Sequence, residues 1–161
     1  LKNIKFIEES LIYFNIKAEY YDVTLPVKVK RLLLPSHTAP SGNYNTILIN
    51  KLRQQFVGQS SIYATKNIYI SRQNAEKRKI TNEEAVITLL KKYNFEVHFF
   101  ENYSFTEQIN LMKNTKCLIG LHGAGLTNML FMSEKTKVLE LRNENITYWE
   151  TEINDIEYTI D

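Results

Sequence analysis

From Val29 to Leu141 the chain repeats one pattern, an apolar run of strand length followed by a longer stretch with apolar residues at helical spacing. Strands separated by helices cannot close tight hairpins, and their stable arrangement is a parallel sheet with helices packed on it. The expected fold class is therefore α/β, a Rossmann-like parallel sheet flanked by helices. Five strands are read: VKRLLLP (29–35), NIYIS (67–71), FEVHFF (95–100), KCLIGL (116–121) and KVLEL (137–141). After the loop SHTAPSGN, the segment YNTILINKLRQQF (44–56) reads as a helix. Thr81 and Glu84 stand at capping-box spacing before a helix whose predicted apolar face is Ala85, Val86, Leu89, Leu90 and Tyr93. Ser104 and Glu107 repeat that spacing ahead of Phe105, Ile109 and Met112, which gives Glu107 a structural task.

The first segment differs, with Ile4, Ile7, Leu11 and Phe14 marking one amphipathic helix before an irregular stretch to Pro26. Two units are expected: residues 1–26, a helix and connection that need something to pack on, and residues 27–161, one domain. The tail from Arg142 has little periodicity and is expected to wrap loosely over the sheet.

A chain of 161 residues with 43% hydrophobic composition is long enough for one ordinary core. Its formal charge of +2 comes from well-mixed acids and bases, so the broad basic face that duplex DNA requires is absent and any anion site must be local. The apolar runs are too short to span a membrane, and the first residues lack a signal-peptide pattern. Cys117 is the single cysteine and lies in the apolar run CLIGL, which points to a buried thiol. Two glycosylation sequons, at Asn102 and Asn145, carry little weight, because 16 Asn and 21 Ser plus Thr make about two such triplets a chance expectation.

Parallel open sheets gather ligands outside the carboxyl ends of their strands. Four polar residues stand at those ends, Arg72, Glu101, His122 and Glu140, and are expected to face one crevice. Two of only five glycines, Gly123 and Gly125, lie where the fourth expected strand turns into a helix. Such a bend lets a ligand approach the backbone, and a helix starting near Ala124 to Leu126 offers N–H groups to a phosphate, with Thr127 adding a hydroxyl. The same small residues also suit tight strand-to-helix packing, and glycine spacing alone does not separate the two readings. Arg72 and Arg78, six residues apart around one loop, can grip a diphosphate with forked hydrogen bonds, whereas Lys77 and Lys79 read as solvated charges. Glu140, near the end of an apolar strand, needs a partner: a ribose diol, or a salt bridge to Arg142 or a lysine. His122 admits several roles, namely orienting the loop, donating to a phosphate, transferring a proton, or being satisfied by backbone. His37 and His98 have no companions at metal-ligand spacing, so no zinc site is read.

The blocks YISRQNAEKRKITNEEAV, SFTEQINLMKNTKCLIGLHGAGLTNMLFM and KVLEL together resemble glycosyltransferase family 61, most specifically in HGAGLTN. The strongest likeness runs from Asn67 to Leu141. It implies a GT-B fold of two Rossmann-like domains, with this chain supplying the C-terminal, donor-binding one. It further implies an inverting, metal-independent transferase without cofactor, using a nucleotide sugar, usually UDP-linked, and a glycan or glycoprotein acceptor. Carried over by position, Arg72 and Arg78 would hold the diphosphate, while Gly123, Ala124, Gly125, Leu126 and Thr127 would supply loop and helix-terminal contacts. Glu140 would hold the ribose. Apart from the resemblance, uracil specificity is expected from the loop after the third strand, around Phe100 to Tyr103. Arg72 and His122 are the catalytic candidates. The acceptor half, which commonly carries the general base in inverting members, is missing or reduced to residues 1–26, and no residue of the sequence stands out as that base. A nucleotide-sugar-binding module without catalysis, or a subunit completing a partner's site, is the alternative; an unrelated α/β enzyme with a similar phosphate loop is a third. The expected compartment depends on the source, cytoplasm for a bacterial or viral chain and the ER or Golgi lumen for a eukaryotic one.

Overall fold

The computed structural model describes residues 5–22, 24–40, 43–58, 63–75 and 79–142. Its elements in chain order are α1 (Lys5–Ile12), α2 (Thr46–Val57), β1 (Lys66–Ile70), α3 (Glu83–Lys92), β2 (Phe95–His98), α4 (Phe105–Lys113), β3 (Thr115–Leu121) and β4 (Lys137–Leu141). Short 3-10 helices occupy Phe100–Asn102 and Ala124–Phe131. All strand pairs are parallel, in the order β2-β1-β3-β4. From β1 the chain steps outward to β2, then returns past β1 to place β3 on its other side. The sheet therefore has a topological switch point between β1 and β3, where the loops leaving the two strands diverge and open a crevice.

Four of the five expected strands form, and the first does not. Residues 29–35 take no part in the sheet, and Leu32, Leu33 and Leu34 are 65%, 80% and 79% exposed. The apolar triplet Leu32 to Leu34 meets the composition of a buried strand, but its state is decided by whether an edge of the sheet pairs with it. Here neither β2 nor β4 does, among the described residues. The expected strand 95–100 stops at His98, where the backbone tightens into the 3-10 turn.

The helix over α3 is also displaced from its expected design. Its N-cap is Asn82, whose side chain makes no capping bond, so the Thr81/Glu84 box does not form. Ala85, Leu89 and Tyr93 are exposed, and the inward stripe is Glu83, Val86, Ile87 and Leu90. A carboxylate leads that stripe, which is why an apolar template misplaced the face by one residue. In α4, by contrast, Ser104 and Glu107 form the reciprocal capping box, and Phe105, Ile109 and Met112 are buried.

The core joins Ile68 and Ile70 of β1, Leu118 of β3, the buried face of α4, and Leu126 and Phe131 of the second 3-10 helix. Beneath it, Phe56 of α2 meets Tyr13, Phe14, Phe105 and Phe131 edge-on, with ring centroids 5.2–5.5 Å apart. One ring thereby ties the segment after α1, α4 and the second 3-10 helix to α2. The first helix packs on this domain: the Phe105 N–H donates to Glu9, and the Tyr13 hydroxyl lies 3.0 Å from Thr106 Oγ1. Ile4 and the tail beyond Arg142 lie outside the described residues.

Phe56→Ala should lower unfolding free energy in urea by about 3 kcal/mol, since a half-buried phenyl group leaves a cavity. Leu33→Ser, on the unpaired segment, should change it by less than about 0.5 kcal/mol.

Candidate functional site

At the end of β3 the ladder continues for one residue, with the His122 N–H donating to Leu141 O at 2.9 Å. Gly123 then adopts φ 150° and ψ −174°, a conformation that side chains rarely tolerate. The chain enters the 3-10 helix at once, and the Leu126 N–H closes the first turn onto Gly123 O at 3.0 Å. Leu126 is 5% exposed and its side chain seats on β3 at Gly120, where a Cβ would lie only 3.0 Å from Leu126 Cδ2. Leu126 is thus the plug of the bend, its N–H engaged within the first turn and its side chain seated on the strand, with a part of it also lining the cavity toward α2. The N–H groups of Ala124 and Gly125 precede the first intrahelical bond and are the donors at this terminus. Gly125 has a different reason from Gly123. A Cβ there would make an ordinary 3.8 Å contact with Ile70, so the glycine keeps backbone exposed without being required by strain. Gly120, which allows Leu126 to settle, was not singled out in the sequence; its place three residues before the bend residue Gly123, inside an apolar strand, was the available signal.

Across the switch point, β1 runs into Arg72 under the control of a residue that sequence reasoning missed. Glu83, 5% exposed at the start of α3, accepts hydrogen bonds from the Tyr69 hydroxyl (2.7 Å), the Ser71 hydroxyl (2.8 Å) and the Arg72 N–H (3.1 Å). Burial, reinforced by this carboxylate, pushes the Tyr69 phenol well above its ordinary range. The Ser71 hydroxyl in turn accepts from the Gln73 N–H at 3.1 Å, so the backbone on both sides of Arg72 is fixed. Arg72 lines a cavity of about 430 Å³ together with Glu101, Ala124, Gly125, Thr127 and Asn128. Phe100 lines this cavity too, while the Tyr103 hydroxyl is bonded to His98 Nδ1 at 2.8 Å. Arg78 lies outside the described residues.

The expected single crevice is divided. Arg72 and Glu101 border the first cavity, whereas His122 and Glu140 border a second, of about 660 Å³, between the 3-10 helix and α2. The reason is the Leu126 plug: it draws the helix down over the sheet edge, so that the helix itself becomes the partition. Thr127 borders both sides. The partition is braced from α2 by Arg53, whose guanidinium donates to Leu130 O at 2.7 Å and Met132 O at 2.8 Å.

In the second cavity His122 Nδ1 and Glu140 Oε1 are 2.5 Å apart, and Arg142 Nε donates to Glu140 Oε2 at 2.6 Å. The salt bridge to Arg142, one of the two partners open to Glu140 from the sequence, is therefore present, and a ribose diol would compete with it for Oε2. Burial pushes the Glu140 carboxyl up, but the hydrogen bonds from His122 and Arg142 outweigh it and hold the group below its ordinary value. Cys117 is half-buried, and burial pushes its thiol up against the opposing pull of Lys137 and Lys116. His98 is engaged by Tyr103 and Glu96. Among the described residues, no group of three or more His, Cys, Asp or Glu is placed to hold a metal ion.

Fold and site together define an α/β domain of the open parallel-sheet class, with its polar groups at the carboxyl end of the sheet, divided between two cavities. The chain belongs to glycosyltransferase family 61, whose model matches residues 5–139. It is similar to the EGF domain-specific O-linked N-acetylglucosamine transferase of Drosophila melanogaster, 37% identical over 78 residues covering 47% of this chain and 15% of that protein. The Bos taurus protein of the same name is 36% identical over 81 residues, 47% of this chain and 15% of its own length. The Xenopus laevis one is 30% identical over 116 residues, 68% of this chain and 22% of its own length. The chain thus spans less than a quarter of the length of these relatives.

Glu83→Ala would leave two buried donors and one half-buried donor without their acceptor and should destabilise the fold by about 3 kcal/mol or more, with Glu83→Gln intermediate, both read by denaturant titration. For Glu140 the sign follows from its depressed acidity. Its contribution to stability is complete above the ordinary value of 4.5 and is lost as pH falls through the lower folded value. The stability gap between wild type and Glu140→Gln should therefore shrink as the pH of the denaturation series is lowered from 7 to 3.

Proposed function

We propose that this domain binds the activated-sugar donor of a glycosyltransferase, a UDP-linked sugar, for inverting transfer to a hydroxyl of a glycan or protein without a resident metal ion. The observation that carries this reading is the meeting, in one cavity, of the Arg72 strand end with the N-terminal turn at Ala124 and Gly125. A guanidinium and two backbone N–H groups at the positive end of a helix suit a diphosphate. Arg78, six residues beyond Arg72, is the second guanidinium in this proposal. As the anomeric carbon–oxygen bond breaks, negative charge grows on the departing nucleoside diphosphate, and fixed donors of this kind stabilise it most where it grows most. The names of the relatives make N-acetylglucosamine the first sugar to test and a protein hydroxyl the first acceptor.

The division of the strand-end residues between two cavities favours a second reading, a donor-binding module that does not itself catalyse transfer. Calorimetry with UDP and UDP-N-acetylglucosamine, paired with an assay for released UDP, separates the two: binding without release under any acceptor supports the module.

UDP should raise the melting temperature more than GDP or CDP does at equal concentration. Arg72→Ala should weaken UDP binding at least about ten-fold and lower turnover by about two to three orders of magnitude. A turnover within a few-fold of wild type would remove Arg72 from the site.

A further inference from the structure

We infer that His122, oriented by Glu140, is the proton acceptor for the incoming acceptor hydroxyl, and that the cavity beside α2 is where this hydroxyl arrives. The inference rests on the donor-site reading above and adds to it the group that the sequence left unassigned.

The chemistry of the pair fixes the proton. A carboxylate can only accept, so the hydrogen on the 2.5 Å contact belongs to His122 Nδ1, and Nε2 is the ring nitrogen through which a base would act. The pair is graded in exposure: the Glu140 side chain is 9% exposed and the His122 side chain 32%. A buried carboxylate thus orients a ring that reaches the cavity. Neither partner can drift. Glu140 sits in register with Gly120 on the paired strands, Arg142 holds its second oxygen, and the His122 backbone is bonded to Leu141. This is the arrangement of a base with its orienting acid.

The surroundings suit hydroxyl-bearing ligands. Thr46 and Asn50 of α2 line the cavity with Tyr44, opposite the apolar wall of Met129 and Leu130. About 660 Å³ is within the range of small-molecule sites. Placement relative to the phosphate donors is equally telling. His122 lies one residue before the Gly123 bend, on one side of the 3-10 helix, and Arg72 lies on the other. Gly123 lines the His122 cavity, Ala124 and Gly125 line the Arg72 cavity, and Thr127 lines both. The anomeric carbon is therefore assigned to this N-terminal turn, where a nucleophile from the His122 side and a leaving group held on the Arg72 side can both reach it.

The step balances. The acceptor oxygen forms a bond to the anomeric carbon, the bond from that carbon to the phosphate oxygen breaks with its electron pair leaving on UDP, and the hydroxyl proton passes to His122 Nε2. The imidazolium so formed faces the Glu140 carboxylate. Glu140 is a positioning residue in this scheme, acting through the ring.

The test measures UDP-N-acetylglucosamine affinity and UDP release, with water or methanol as acceptor, for wild type, His122→Ala, His122→Gln, Glu140→Gln and the double variant His122→Ala/Glu140→Gln. Melting temperatures check that each is folded, and His122→Gln retains an amide donor for Glu140 should the alanine variant not fold. Both His122 variants should keep affinity within about three-fold and lose turnover at least about 100-fold, the lower end of what general acid–base groups contribute. Added imidazole should restore part of the His122→Ala turnover. Glu140→Gln should lose about ten-fold in kcat with affinity unchanged, and no further loss should follow from adding it to His122→Ala, because a residue acting through the ring has nothing to act on once the ring is gone. Equal losses in affinity and turnover on removing His122 would make it a phosphate contact and overturn the inference. So would unchanged turnover, or a wild type that binds donor yet releases no UDP, since the base would then lie outside this chain. A wild type that binds no nucleotide sugar overturns the donor-site reading itself.

Discussion

A single buried carboxylate sets the geometry of the switch point. Glu83 takes hydrogen bonds from a phenol, a hydroxyl and a backbone N–H within four consecutive residues of β1 and its exit. Placing a charge at 5% exposure is unfavourable unless each of its lone pairs finds a donor in the right direction. That demand works as a positional constraint: β1 must leave the sheet at one height, and α3 must begin directly beside it. Arg72 inherits its backbone placement from this arrangement.

On the neighbouring strand the same end is reached by a steric device. Gly123 permits the turn, Gly120 permits the descent, and Leu126 fills the space that both leave. The helix is consequently 3-10 and begins with no spacer, which is unusual for eight residues and keeps its first N–H groups against the strand ends. Electrostatic constraint on β1 and packing constraint on β3 thus converge on the narrow region between them, and the division into two cavities is a by-product of the second.

Much of this was readable in the residues, and the parts that were not share a cause. Alternation of period identified the parallel sheet and four of its strands, and the Ser104 cap identified α4, because these signals are local. The segment 29–35 failed because strand formation depends on a pairing partner that local composition does not reveal. Glu83 was missed because a carboxylate on a helix is ordinarily solvated, and only the fold brings Tyr69 and Ser71 to it. Of the expected strand-end residues, Arg72, His122 and Glu140 lie at the strand ends, and Glu101 lies three residues past its strand, in a 3-10 turn. What the sequence lacked was the partition between them, since the depth to which Leu126 sinks depends on a glycine in the strand. The contact between His122 and Glu140 spans 18 positions and becomes visible only when β3 and β4 are set in register.

Arg53 adds a consequence for how such a site can diversify. Its fork grips two carbonyls at the far end of the 3-10 helix, so the gap between that helix and α2 is gauged by one planar group. Thr46 and Asn50 stand on the same side of α2 but take no part in the grip. Their side chains can be exchanged while the gauge is kept, much as the wards of a lock are recut inside an unchanged casing. Discrimination among hydroxyl partners is therefore separable, in this architecture, from the stability of the chamber that receives them.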